Sequence, residues 1–406
     1  MKRKSKNYVA GLDIGTTKVS AVVGQPSTDG VEILGFGTAA SDGSRRGVVV
    51  NIESTIEAIK SAVEEAERSS GSNIRAVYAS VAGDHIRGQN SQGIGAVKGD
   101  DITEEDVQEA IEAAKAIAIP KDRQILDCLP QSFVVDGHDE IDNPIGMTGV
   151  RLEVRTYVIT CAVAAIHNIT KATSRMGLDL LDVVLQQLAT SASVLSNDER
   201  DLGVGLIDIG GETTDIAIFY KGCIRHISTL PLGGRYITSD IATGLRTPMT
   251  EAEKIKINYG CAYLPLINGD EMIEVPSVGG REPREVSRHV LVRIVEPRVQ
   301  EILSMAAKEI SRAGYDDLLA AGVVITGGTA LIGGIDQLAE QVFNMPARQG
   351  YPQVRVIDEG LALDPSNATG VGLVLYGCEN MKRGRFIRPE SGYLMRFIRS
   401  FNRKLF

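Results

Sequence analysis

Long apolar runs are missing from this sequence. No stretch of its 406 residues approaches the ~20 consecutive apolar side chains that a spanning helix requires, so no segment is expected to cross a membrane. Cysteine is scarce as well. Cys128, Cys161, Cys223, Cys261 and Cys378 lie far apart and form no C-x-x-C pair, which predicts reduced, structural thiols of a cytosolic protein. The basic start "MKRKSKNYVAG" has no apolar segment behind it, because Asp13 follows almost at once, and it does not read as a signal peptide.

The chain is too long for one ordinary core and long enough for two lobes, with 43% hydrophobic residues to fill them. Its net charge of −9 is unevenly spread. Residues 382–406 hold eight basic side chains and one acid, so the preceding 381 residues carry −16. An acidic body with a basic end argues against nucleic-acid binding and for a separate task at the tail.

That tail, "GYLMRFIRSFNRKLF" (392–406), is amphipathic on a helical wheel. Leu394, Phe397, Ile398, Phe401 and Leu405 share one face, flanked by Tyr393, Met395 and Phe406. Arg396, Arg399 and Arg403 lie opposite, with Lys404 at the flank. As a helix it would be about 21 Å long, too short to span a bilayer and suited to lying in an anionic membrane surface. Docking on the core or on a partner protein are the rival readings. Residues 379–391, basic and interrupted by Gly and Pro, read as a tether.

The body contains an echo of itself. "GLDIGTTKVSAVVG" (11–24) and "GLIDIGGETTDIAIFYKG" (205–222) each read as an apolar strand, a Gly/Thr turn and a second apolar strand, with Asp13 and Asp208 separated by 195 positions. "ESTIEAIKSAVEEAERSS" (53–70) has helical periodicity, and "RAVYASVAG" (75–83) reads as a buried strand. Residues 84–163 read as an inserted α+β unit. It holds a polar Gly/Gln/Asn hairpin, a helix opened by Thr103 with Asp106 as its capping partner, and the strands "RQILDCLPQSFVVD" and "VRLEVRTYVITCAV". "TPMTEAEKIKINYG" and "REVSRHVLVRIVEPRVQEILSMAAKEISRAG" read as helices. "AGVVITGGTALIGG" reads as a strand, a glycine turn and a helix, and "ATGVGLVLYG" as a last helix.

The glycine turns carry the chemistry. Backbone N–H groups at such turns can converge on one anion, and glycine admits a phosphate without a Cβ in the way. The first turn supplies Gly15, Thr16 and Thr17, with Lys18 for charge; the second supplies Gly210, Gly211, Glu212, Thr213 and Thr214. Asp13 and Asp208, at the ends of apolar strands, are placed to hold Mg²⁺ through water, and the two turns could clamp a triphosphate. Gly327, Gly328 and Thr329 could let a purine or ribose lie against the backbone. Glu253 and Lys256, three apart on a helix, either hydrogen-bond ribose hydroxyls and flank the base or form an exposed salt bridge.

The order "LDIGTTKV", "LIDIGGETTDIAI", "VITGGTALIGG" resembles the two phosphate loops and the adenosine loop of the actin, Hsp70 and sugar-kinase superfamily. Within it, "EVPSVGGREPREVSRHV", "GVRLEVRTYVITC" and the amphipathic end are similar to the FtsA family of bacterial cell-division proteins. The resemblance implies an α/β, actin-like, two-lobed ATPase fold with duplicated RNase H-like subdomains and an inserted α+β subdomain, 1C, at 84–163. Subdomain 1A would comprise 1–83, completed by about 164–203 and part of the C-terminal region, 2A 204–237 and about 314–378, and 2B 238–313.

The resemblance further implies ATP and Mg²⁺ as cofactors and self-assembly into filaments. It implies FtsZ C-terminal peptide bound by 2B, with Arg288, Arg293 and above all Arg298 as candidates, and other division proteins met through 84–163. The tail would attach the protein peripherally to the cytoplasmic face of the cell membrane at the division site. One departure bears on hydrolysis. Where superfamily members carry an acid two residues before a helical Thr, "LQQLATSAS" places Leu188, so only Gln186 and Gln187 could orient water, with Gln187 the candidate. The expectation is a structural adaptor and at most a slow ATPase. A sugar kinase, an Hsp70-like ATPase or another actin-like adaptor of pilus assembly or cell shape is the alternative.

Overall fold

A computed structural model describes residues 8–28, 30–279, 281–356 and 362–382. The tail face formed by Leu394, Arg396, Phe397, Ile398, Arg399, Phe401, Arg403, Lys404 and Leu405 lies outside these residues, as does most of the tether.

The first lobe is built on a six-stranded sheet. Val9–Ile14, Lys18–Ser27 and Gly30–Ala40 form an antiparallel meander. Ala76–Val81 adds in parallel to the first strand, Asp179–Leu185 adds beyond it, and the short Arg355–Val356 closes the far edge. Val9–Ile14 is covered on both faces, which explains its nearly unbroken apolar run. One cover is the helix Ile52–Ser70, which buries Thr55, Ala58, Ile59, Ala62, Val63 and Ala66 at helical spacing. Asn51 caps its start by accepting from the Ser54 N–H, and Gly71 ends it with φ 64°.

The other cover is the last helix, Ala368–Lys382. Its glycines set how close it comes: a Cβ on Gly372 would overlap the Ala189 carbonyl of the neighbouring helix Gln186–Val194. This helix runs four residues into the segment expected as tether, because Cys378 and Asn380 are still buried.

The second lobe repeats the plan. Val204–Ile209, Thr214–Tyr220 and Cys223–Leu230 form the meander, and Val323–Thr326 and Ala347–Gln349 add in parallel on the side of the first strand. Position for position, Val9 matches Val204 and Asp13 matches Asp208, so the 195-residue spacing marks one supersecondary unit used twice. The helices Gly234–Leu245 and Met249–Tyr259 pack with the long helix Arg288–Ala313, whose Leu291, Val295, Val299, Ile302, Leu303 and Ile310 enter this lobe's core.

Three readings from the sequence change. The polar stretch expected as a hairpin is a single strand, Arg87–Ala96, paired along its length with Arg151–Ala162. Its glycines serve packing, not turning: a Cβ on Gly93 would overlap the Ala110 carbonyl of the helix Glu104–Ala114. With Arg123–Val135 and His138–Ile141 these strands make the four-stranded sheet of the inserted unit. The capping box of Thr103 and Asp106 opens that helix as expected.

"REVS" is not helical either. Arg284–Ser287 pairs with Met272–Val275 as a hairpin, and Ser287 caps the helix that follows. After Val323–Thr326 the chain makes only one 3₁₀ turn, Gly328–Leu331, before a second glycine turn at Gly334 opens the helix Ile335–Phe343. All five cysteines are free and buried. Among the described residues, no helix is long and apolar enough to cross a membrane.

Candidate functional site

The two hairpin turns face each other across the gap between the sheets. Gly210 N–H donates to Thr213 O at 2.9 Å, closing the second turn, and Gly211 abuts Thr17 of the first so closely that a Cβ there would stand 2.8 Å from the Thr17 Oγ1. Thr16 is buried, its hydroxyl accepting from Gly47 N–H at 3.3 Å, while Thr17 is exposed into the gap. Glu212 reaches across: one carboxylate oxygen accepts from Arg46 N–H at 3.1 Å in the first lobe and the other from Arg235 at 2.9 Å in the second. At this mouth lies a cavity of about 360 Å³, lined among others by Arg45, Tyr236 and Met249.

Behind the turns, Asp13, Asp208 and Asp215 act on one another electrostatically. Asp13 accepts from the Ser80 hydroxyl at 2.7 Å. Asp208 accepts from Gln186 Nε2 at 3.0 Å and Thr190 Oγ1 at 3.2 Å. Asp215 accepts from Gln187 Nε2 at 3.0 Å and Thr229 Oγ1 at 2.6 Å, and from Thr213 Oγ1 at 3.3 Å. Burial raises all three carboxyls, and their mutual repulsion adds to it for the latter two, Asp208 to about 6 and Asp215 to about 7.

The one lysine among them is Lys18. It does not extend into the gap; its ammonium donates to Ser366 Oγ at 2.8 Å and Ser366 O at 3.0 Å, and burial lowers its pKa against the pull of Asp13, Asp364 and Asp208.

The third element closes the site from the second lobe. Gly327 adopts φ 86°, and a Cβ there would overlap the Asp208 carboxylate and stand 2.7 Å from Ile209 O, so only glycine fits. Gly328 follows it, and Thr329 donates to Gly210 O at 3.1 Å. Gly234 and Arg235 N–H donate to Gly210 O and Gly211 O at 2.9 and 2.7 Å, which ties the second turn from behind.

Glu253 and Lys256 do form the i,i+3 pair, at 2.8 Å. Lys256 is nonetheless well covered and also donates to Thr238 Oγ1 at 2.9 Å and Gly234 O at 3.3 Å, so the pair borders the same glycine cluster. Thr214 points away, its hydroxyl donating to Leu232 O.

Gln187 stands apart from its expected use. Its amide is only 1% exposed, its nitrogen is committed to Asp215, and its oxygen has no partner. Gln186, not Gln187, touches Asp208. Sequence reasoning passed over Asp215, Thr190, Ser366 and the Gly233–Gly234 turn. Asp215 had a signal: it lies directly opposite Asp208 in the hairpin register, where the first hairpin has Ser20 opposite Asp13.

The three arginines of the long helix are not brought together. Spaced five apart, successive ones fall about 140° from each other around the axis, and Arg288 and Arg298 stand about 15 Å apart along it. Arg288 donates to Tyr259 O at 3.0 Å and pairs with Glu271 at 2.8 Å. Arg298 pairs with Asp240 at 2.6 Å and with Glu301. Arg293 is exposed.

The fold has solved counterparts. A chain of the PilM–PilN type IV pilus biogenesis complex aligns over 91% of this chain and 98% of its own at TM-score 0.66 and 17% identity. MreB5 of Spiroplasma citri aligns over 93% and 98% at TM-score 0.54 and 16% identity. The fold is actin-like.

In sequence, a family model for cell division protein FtsA matches residues 205–372, and one for the SHS2 domain inserted in FtsA matches 83–160, where the four-stranded sheet lies. The cell division protein FtsA of Pseudomonas aeruginosa is 46% identical over 94% of this chain and 92% of its own length; that of Escherichia coli K12 is 38% identical over 95% and 93%. Relatives this similar over nearly the whole chain, with family models on the second lobe and on the inserted unit, settle the assignment: the chain belongs to the FtsA family of cell-division proteins.

Proposed function

We propose that the chain is an ATP-binding, filament-forming adaptor that holds FtsZ filaments to the cytoplasmic membrane during division. The observation that carries it is the meeting of the two glycine hairpins at Thr17 and Gly211, with carboxylates behind them and the Gly327 turn beside them. A nucleotide seated there touches both lobes and therefore favours their closed arrangement.

The donor set fits a hydrated divalent cation, since buried carboxylates outnumber the single Lys18. Among the described residues no three His, Cys, Asp or Glu side chains are placed to cage a metal directly. Asp13 and Asp208 would hold Mg²⁺ through water, and the ion would neutralise phosphate charge. Hydrolysis is slow in this reading, because Gln187 is spent on Asp215 and no free base stands at the helix Gln186–Val194.

On the second lobe, Arg293 is the arginine left exposed for an acidic FtsZ peptide, while Arg288 and Arg298 shape the surface through their own ion pairs. The inserted unit is the surface offered to other division proteins. The tail 392–406 supplies weak attachment that a filament multiplies. Titrating a labelled FtsZ C-terminal peptide into the protein and into Arg293→Glu tests the adaptor role. Saturable binding weakened by the variant supports it, and absence of binding to the parent protein contradicts it.

A further inference from the structure

A cavity of about 1000 Å³ lies away from the hairpins. It lies between the inserted unit and the second lobe, and no part of the nucleotide reading uses it. One wall is Ser132, Glu140, Asp142 and Arg155 of the inserted unit. The other is the helix Asn197–Leu202 with the turn Tyr220 to Arg225 of the second lobe, and Tyr315 and Leu318 close an end. Lys221 and Glu140, paired at 2.7 Å, bridge the two walls.

Much of the charge lining the cavity is already spent. Besides the bridge, Arg155 pairs with Asp139 at 2.7 Å. Two more guanidinium groups, Arg200 and Arg225, line it together with the carboxylates of Asp142 and Asp201, and neither guanidinium is held in a direct ion pair among the described residues. Arg200 is 3% exposed; Glu199 and Asp201 act on it electrostatically, but no carboxylate lies within ion-pair distance of it among the described residues. Its Nη2 donates to Ser191 O at 2.7 Å, it stacks over Phe219, and its Nε has no partner at all. Its neighbour Glu199 is taken by Arg348 at 2.7 Å. Arg225, half-buried, donates through Nε to Tyr220 O at 3.1 Å and makes no ion pair among the described residues.

A buried cation with no carboxylate in direct contact is costly, and a buried N–H left unmade adds to the cost. An oxyanion relieves both, because it offers the guanidinium fork its matching acceptors. A volume of this size suits a small molecule, with Tyr220, Tyr315 and Leu318 as apolar walls.

We propose that this cavity is a binding site for a small oxyanion-bearing ligand, a phosphate or a polycarboxylate, seated on Arg200 and Arg225 and bracing the inserted unit against the second lobe. Its lining shares no residue with the two glycine hairpin turns.

The test is hydrogen exchange of the full chain, with and without inorganic pyrophosphate in one arm and citrate in the other. The expected result is saturable protection of 138–142 and 220–225 by at least one probe, and the arm that responds identifies the phosphate or the carboxylate source. Arg225→Gln weakens that protection about tenfold, and Arg225→Lys, which keeps charge but loses the fork, recovers part of it. No protection of these segments by either probe, or protection unchanged in both variants, overturns the proposal.

Discussion

Thr17 of the first lobe and Gly211 of the second are in contact, and the space a Cβ on Gly211 would need is already filled by the Thr17 side chain. The two lobes therefore touch at the tips of equivalent hairpins. A side chain at 211 must displace the Thr17 side chain or move one lobe away from the other.

Gly211→Val should open this contact at an overpacking cost of about 1–3 kcal/mol, which lowers nucleotide affinity by about 10- to 100-fold while leaving each lobe folded. Fluorescent ATP titration read beside far-ultraviolet circular dichroism checks it. Unchanged affinity in a folded variant would show that the contact is not part of nucleotide binding.

The carboxyls behind the hairpins make a pH prediction. Asp208 and Asp215 titrate near 6 and 7 in the fold and near ~4 when unfolded, so between those values the native chain binds more protons than the unfolded one. Their contribution to stability is fully present below about pH 4 and is lost as pH rises through 6 to 7. Asp215→Asn removes one of them, so its stability relative to the parent should improve between pH 5 and pH 8. Urea unfolding of both proteins at the two pH values measures the difference; a gap that stays constant or widens against the variant contradicts the assignment.

Gln187 gives a third. Because its amide nitrogen is tied to a buried carboxylate, Gln187→Ala should destabilise the protein by about 1–3 kcal/mol through the unsatisfied Asp215. ATP turnover, normalised to folded protein, should change less than twofold. Urea unfolding and a phosphate-release assay decide it, and loss of turnover without loss of stability would restore Gln187 as a water-orienting residue.

The repeat, the inserted unit and the three glycine elements were legible because each depends on short-range pattern: apolar alternation, turn glycines and a capping pair. What was not legible depends on long-range approach. Gly93 reads as a turn former in sequence, and only the helix packed on it shows that it is a contact glycine. Lys18 sits beside a phosphate-type turn, yet Ser366, 348 positions away, takes its ammonium. Gln187 stands at the expected helix start, but whether its amide faces water or Asp215 is a matter of burial that spacing does not encode. Arg298 looked free until Asp240 and Glu301 were placed around it.

The central claim is a division of labour: nucleotide governs association of the two-lobed body, and residues 392–406 supply only surface attachment. Co-sedimentation of the full chain and of a chain ending at Glu390, with and without ATP and with and without anionic liposomes, tests it most directly. ATP should promote pelleting of both proteins in the absence of lipid, and liposomes should bring down only the full chain. Equal pelleting of the two with liposomes would contradict the account.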